Sequence, residues 1–375
     1  MRAGLEVSGL DALAVFDPWR IAYLTGFHHL PTERPVVLVL SESYASLVVP
    51  AVEKEHAESI PGIDRVHVYF EYPGDTHPMQ RVNGALRDVN ASPGRIAADA
   101  DGYLPRWGYR GPRLSDLTGE PVVDGEMLIE SLRRVKSEME LACIQLSCDW
   151  AGRAHRRMQD AIRVGQTEME SYAPAQLESL REMIATMPGW RPRGFGNGLT
   201  AMFVGGRATA MPHGFVRGRG VQPGDTLVSG AAADIDGYLS ELERTFIVGD
   251  PTPAHRSNFD AMLRMQTLAI SLLKPGATAA SVELEVLRLA EQLEVGDKIR
   301  HHVGHAIGLE AHEAPFLDRG EDTVLEPGMV FTVEPGLYQA ALGGFRHSDT
   351  VVVTHDGHRI MTDYPRDLDS LTIPV

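Results

Sequence analysis

The stretch GYLSELERTF, Gly237–Phe246, sets two glutamates two residues apart in a run that otherwise reads as a strand. Side chains alternate along a strand with period two, so Glu241 and Glu243 share one face. Two carboxylates so placed in a partly apolar segment are costly unless a metal, a proton or another cation neutralises them. Which of these does so decides what the site can do.

The chain around it is ordinary for a globular protein. It has 375 residues, 43% hydrophobic and 23% charged, enough for two domains or one large domain with a cap. The formal net charge is −16, which argues against nucleic acid or an anionic membrane as a partner. No apolar run approaches the ~20 residues that cross a bilayer. The opening MRAGLEVSGLDALAVF has no basic region ahead of a long apolar run, as a secretory leader would. The two cysteines, Cys143 and Cys148, sit five apart in a helical pattern, off a common face, and read as reduced thiols. A cytoplasmic protein is expected.

The first third alternates strands and helices. Ala12–Phe16, Pro35–Leu40, Ser46–Pro50 and Arg95–Ala100 are apolar strand runs, and Asp17-Pro18 opens a helix or turn. They predict an N-terminal α/β domain over residues 1–125. From Glu126 to about Ile162 apolar residues recur at three- and four-residue spacing, which predicts one long helix. Thr167 with Glu170 forms a capping box for a further helix to about Met187. From Gly194 the chain turns to short strand-like segments, TAMFV, DTLVSGAAAD, YLSELERTFIV, MVFTVEP and DTVVVT, with helices at Ala254–Leu273 and Ser281–Leu293. Residues 126–375 are thus expected as an α+β domain, a curved antiparallel sheet flanked by helices.

Five stretches carry the chemistry: MPHGF (Met211–Phe215), GYLSELERTF, VGHAIGLEAHEAP (Val303–Pro315), EPGMVFTVEPGLY (Glu326–Tyr338) and GGFRHSDTVVVT (Gly343–Thr354). In order and spacing they resemble the pita-bread hydrolases, the group of creatinase, prolidase, aminopeptidase P and methionine aminopeptidase. AYLTGF followed by ERPVVLVL resembles that group's creatinase-type N-terminal domain. The resemblance implies a pita-bread catalytic domain, a small-molecule substrate, and a homodimer with one subunit's N-terminal domain near the other's active site.

Metal peptidases of that group hold two ions with two aspartates, a histidine and two glutamates. Carried over residue by residue, His305 and Glu334 match, and Glu241 stands at the second aspartate. The first aspartate falls on Ser229 or Gly230, and the last glutamate on Ser348. Two dications close together need several carboxylates to offset their repulsion, so a dinuclear centre is not expected. Glu241, His305 and Glu334 leave room for a single weakly held divalent ion; no cofactor is expected otherwise.

Creatinase, a metal-free branch, shares the Leu-Glu-Arg-Thr string. Its working residues correspond here to His213, Glu243 and Glu334. On that resemblance His213 carries the proton, Glu243 and Glu334 face a cationic group, and Arg34 grips a substrate carboxylate. Glu241, His305, His312 and His347 line the substrate. The leading expectation is a metal-independent hydrolase of a C–N bond in a small amidine, guanidine or amide. The alternatives are a metal-dependent Xaa-Pro peptidase with an altered metal site and a non-catalytic binding protein. The loop LEAHEAP is similar to the peptidases, and Thr32 stands where creatinase has an aromatic. Plainer readings stand beside these: Glu243 as an ion pair with Arg244, Arg34 as a surface or dimer arginine, and His28, His29, His301 and His302 as packing residues.

Overall fold

The computed structural model describes residues 1–104, 108–193 and 198–375. Gly194, where the sequence changes character, lies outside them. The chain divides into two units, Met1–Arg133 and Arg134–Val375.

The first unit is built on a six-stranded mixed sheet. Its spatial order is Arg65–Tyr69, Ala45–Pro50, Val37–Leu40, Ala12–Val15, Ile96–Ala98, Val123–Asp124. The central strands are apolar at every position because both faces are covered. Ala12, Ala14, Val37 and Val39 pack with Val82 and Leu86 of the helix Met79–Asp88. Leu13, Val15, Leu38 and Leu40 pack on the other side with Ile21 and Ile129. The helix Pro18–Thr25 starts where Asp17 accepts hydrogen bonds from the Trp19 and Arg20 amides, and it ends at Gly26 in the left-handed region (φ 74°).

The second unit has a four-stranded ladder ordered Thr372–Ile373, Leu242–Val248, Thr226–Ala233, Leu199–Gly205. A five-stranded ladder is ordered Glu313–Leu317, Gly304–Ala306, Val330–Val333, Asp349–Thr354, Gly357–Ile360. The hairpin Gly336–Gln339/Gly343–Arg346 stands apart from both. All pairings are antiparallel except Thr372–Ile373, which runs parallel to Leu242–Val248. The expected single sheet is therefore stepped, and a bridge between Glu243 and Ser348 joins the two larger ladders. Helices Glu138–Ala161, Glu168–Thr186, Pro253–Leu272 and Ala279–Gln292 share its core.

One long helix from Glu126 does not form. There are two, Glu126–Arg134 and Glu138–Ala161, because Ser137 caps the second: its Oγ accepts from the Glu140 amide while Glu140 accepts from the Ser137 amide. The Thr167–Glu170 box is formed as expected. Cys143 and Cys148 are free thiols, and burial pushes Cys148 up to about 12. No helix among the described residues is long and apolar enough to cross a membrane.

His29 is buried and stacked on Phe27, with ring centroids 5.2 Å apart. Burial pulls it from 6.5 to about 4. The unfolded chain therefore takes up this proton first as pH falls, and stability is lost between 6.5 and 4. The expected loss is about 3 kcal/mol at about 1.36 kcal/mol per pH unit. Urea unfolding of wild type and His29→Gln across that window should show the difference between them closing by this amount towards pH 4; parallel curves would exclude it.

Candidate active site

The strand Leu242–Val248 and its lead-in deliver Glu241 and Glu243 to one cavity of about 340 Å³. His213, Gly230, Tyr338 and Arg346 share the lining, and Met202, Val204, Met211, Val228, Leu239 and Ile307 supply apolar wall. Arg244, between the two in sequence, points away. It is fully buried and donates to the carbonyls of Pro365, Glu243, Ser348 and Tyr364 and to Asp349 Oδ1 at 2.7 Å. Glu243 does make an ion pair, but with Arg346 rather than Arg244.

That pair is bidentate: Arg346 Nε donates to Glu243 Oε2 at 2.5 Å and Nη2 to Oε1 at 2.6 Å. Arg346 Nη1 donates to the Pro212 carbonyl and to Tyr338 Oη, both at 3.2 Å. Tyr338 Oη is within 2.8 Å of His301 Nε2, whose Nδ1–H donates to the His302 carbonyl. A side chain at Gly336 would meet Tyr338 Oη at 2.5 Å, so the EPG turn needs glycine there for the phenol to fit. Burial pushes Glu243 up and Arg346 opposes it. Since a guanidinium only donates, both oxygens must accept, and the carboxylate form accounts for the geometry.

On the facing strand His305 is buried. Its Nδ1–H donates to the Ala306 carbonyl at 3.0 Å. Nε2 stands 3.2 Å from Glu334 Oε1, out of line for a hydrogen bond, and has no hydrogen-bonding partner. Burial lowers His305, but the carboxylates of Glu334 and Glu241 outweigh it and hold it above its ordinary value. Burial would raise Glu334; His305 and Arg346 instead keep it low. Glu241 is raised by burial and by the charges of Glu334 and Glu243, while Ser348 Oγ donates to its Oε1 at 2.7 Å. His312 stacks on His305 with centroids 3.8 Å apart, and burial and the His305 charge lower it. Its loop is pinned by the buried Lys136–Glu313 pair, 3.0 Å apart, while Glu313 also accepts from the Glu310 amide.

His213 is exposed in the turn after Gly206–Ala210. Both feet of that segment are tied by one buried carboxylate: Glu168 accepts from the amides of Gly205, Arg217 and Gly218, each at 2.9 Å. His347, expected at the substrate, lies on the other face. Alternation sends Arg346 and Ser348 to the cavity and His347 into the core, edge-on to Phe259 at 5.1 Å, where burial holds it neutral. Arg34, in the N-terminal unit, donates to both oxygens of Glu71 and lies 2.8 Å from Glu33. A substrate carboxylate would have to displace one of them.

The ladder resolves the position of the absent aspartate. Ser229 uses its hydroxyl on the Arg244 carbonyl at 2.9 Å, with His155 Nε2 at 2.7 Å, while Gly230 is the cross-strand partner of Glu243 and shares its face. With Gly230 and Ser348 supplying no ligand, the residues present do not fit two ions. They do fit one. Glu241, His305 and Glu334 offer atoms within 4.8 Å of one another, and His305 has an unpartnered Nε2 with the tautomer fixed by its other nitrogen. Arg346 and Tyr338 escaped the sequence reading, although GGFR and EPGLY were both in view; the position of Arg346 two residues before Ser348, on its face, was the available signal.

Comparison with known proteins gives the family. Residues 142–355 match the model of metallopeptidase family M24, and residues 1–135 that of the creatinase/prolidase N-terminal domain. The chain belongs to the M24 family, with the two-domain pita-bread fold of prolidases. It is 28% identical over 366 residues to the putative dipeptidase YkvY of Bacillus subtilis (strain 168), covering 97% of this chain and 96% of that protein. It is 32% identical over 241 residues to the Xaa-Pro dipeptidase of Pyrococcus furiosus, covering 64% and 66%. The crystal structure of dipeptidase PepE from Mycobacterium ulcerans superposes with a TM-score of 0.85 at 27% identity, covering 100% of this chain and 96% of that one.

Replacing Arg346 with methionine leaves Glu243 buried without its cation. Arg346→Met should cost roughly 3–5 kcal/mol in urea unfolding. Arg346→Lys should recover only part, since a lysine cannot span both oxygens. A cost under about 1 kcal/mol for Arg346→Met would show that the clamp does not hold the site's charge.

Proposed function

We propose that the protein hydrolyses the C–N bond of a small, dipeptide-sized substrate, with Xaa-Pro dipeptides the first class to test, and that it binds at most one divalent ion. The observation that carries this is the Arg346 clamp. A cationic substrate was expected because Glu243 stood unneutralised; the guanidinium already neutralises it. What remains is a cavity of about 340 Å³ with largely apolar walls, a size and lining suited to a dipeptide with an apolar ring or side chain. The names of the dipeptidase relatives point the same way.

In this reading Glu241, His305 and Glu334 hold the ion, which when bound polarises the scissile carbonyl and acidifies a water. His213, at the cavity wall, takes the proton of the attacking water and returns one to the leaving nitrogen. His312, stacked on His305, keeps that ring in place. The homodimer and the cytoplasmic location belong to the same proposal, and the free thiols Cys143 and Cys148 agree with the latter.

A second reading has one observation in its favour. Three carboxylates, Glu241, Glu243 and Glu334, face two cations, Arg346 and protonated His305. If Glu241 keeps a proton, as its raised value favours, the cluster is neutral without any ion. That arrangement suits metal-independent cleavage of an amidine, guanidine or amide.

One experiment separates them. Protein stripped of metal is assayed on Xaa-Pro dipeptides and on small zwitterionic amidines, with and without added Mn²⁺, and bound metal is counted. The expected outcome is dipeptide turnover that needs Mn²⁺ and saturates at no more than one ion per chain. His213→Ala should lower kcat by roughly two orders of magnitude or more. Chelator-resistant turnover of amidines alone would overturn the dipeptidase reading in favour of the second.

A further inference from the structure

The two positions where this chain departs from a two-ion ligand set are not scattered. Gly230 is the cross-strand partner of Glu243 on one side. Ser348 is its partner on the other, in a bridge whose two hydrogen bonds, Glu243 N–H to the Ser348 carbonyl and Ser348 N–H to the Glu243 carbonyl, are both 3.0 Å. The three residues form a single row across the stepped sheet. Residues opposite one another in a ladder point to the same face, so all three share one side of the sheet, and Gly230 and Glu243 line the cavity. A Cβ built on Gly230 lies 3.6 Å from Glu243 Oε1 and 3.7 Å from its Cγ. That is ordinary contact for a methyl group, but a carboxylate extended from there would run into the one already present. On the other flank, Ser348 places a hydroxyl where a longer acid would crowd both Glu243 and the Glu241 oxygen to which it donates.

We propose that Gly230, Glu243 and Ser348 are one coupled unit, in which a single central carboxylate stands in place of two flanking ones and holds the guanidinium of Arg346. The coupling is reciprocal. Glu243 requires a residue without charge at 230, and Arg346 depends on Glu243 for its bidentate partner, Glu334 Oε2 standing farther off at 3.7 Å from Nε. A second ion is therefore expected to bind only when all three positions change together. This makes Glu243 a positioning residue for Arg346, which in turn holds the Pro212 carbonyl and hence the turn bearing His213. It holds whichever C–N bond the protein cuts.

The test is a thermal-unfolding cycle in chelator, together with a count of bound metal. Gly230→Ala should melt close to wild type. Gly230→Asp should lower Tm by roughly 5 °C or more through like-charge contact with Glu243, and Glu243→Thr should lower it by taking away the bidentate partner of Arg346. Their combination should melt above either single variant. By equilibrium dialysis against Mn²⁺, the triple variant Gly230→Asp, Glu243→Thr, Ser348→Glu should bind one more ion per chain than wild type. Additive Tm losses in the double variant would overturn the proposal. So would a gain of the extra ion by Gly230→Asp, Ser348→Glu with Glu243 retained. If the triple variant does not fold, the cycle at 230 and 243 decides alone. Neither readout uses turnover, so failure of the dipeptide assay would leave this result intact.

Discussion

A guanidinium gripping a carboxylate, Arg346 on Glu243, is the contact around which the cavity is arranged. It is largely out of water, with side-chain exposures of 11% and 14%, where an isolated charge of either sign would be expensive. Its remaining donors fix what lies nearby: Nη1 reaches the Pro212 carbonyl and Tyr338 Oη, and Tyr338 is held in turn by His301. The strands Leu242–Val248 and Gly343–Arg346 and the turn before Gly214 are thus tied at one point. Remove the clamp and each loses its reference to the others.

The cavity has two electrostatic halves. Around Arg346 and Glu243 the charges are closed and both carboxylate oxygens are occupied. Around Glu241, His305 and Glu334 they are poised: Glu334 is held ionised, Glu241 leans towards its protonated form, and His305 is pulled towards its cation while Nε2 stays without a hydrogen bond. A divalent ion entering that half would displace the protons on His305 and Glu241, so ion and protons compete for the same three side chains.

The broad outline was open to sequence reading because its signals were local. Strands buried on both faces show as unbroken apolar runs, as at Val37–Leu40, and the Thr167–Glu170 cap is written in four residues. The helix break at Ser137 was equally local, but S-E-M-E lies inside a charged helical pattern that continues across it, and periodicity masked the cap. The site resisted for another reason: its charges are settled by partners far apart in the chain. Glu243 adjoins Arg244 in sequence, yet the pleat turns them to opposite faces, and the true partner lies 103 residues on. Counting acids along one strand exaggerated the need for a cationic substrate. The choice between Ser229 and Gly230, and the inward turn of His347, likewise depend on which face of a strand meets the cavity, and register alone supplies that.

Glu168 has a role in time as well as in space. One carboxylate ties the Gly205 amide to those of Arg217 and Gly218, so the segment carrying His213 is a loop closed by a side chain, its ends joined whatever the tip is doing. Closing it in advance removes from each excursion of the tip the entropic cost of bringing the ends back together. The same economy makes the loop vulnerable. Both feet share that one carboxylate, so losing it would release the Gly205, Arg217 and Gly218 amides together, leaving the segment its ties from Arg346 to the Pro212 carbonyl and from the Gly344 amide to Thr209 Oγ1. Loss of that carboxylate would loosen the approach to His213 while the sheets and helices were still intact.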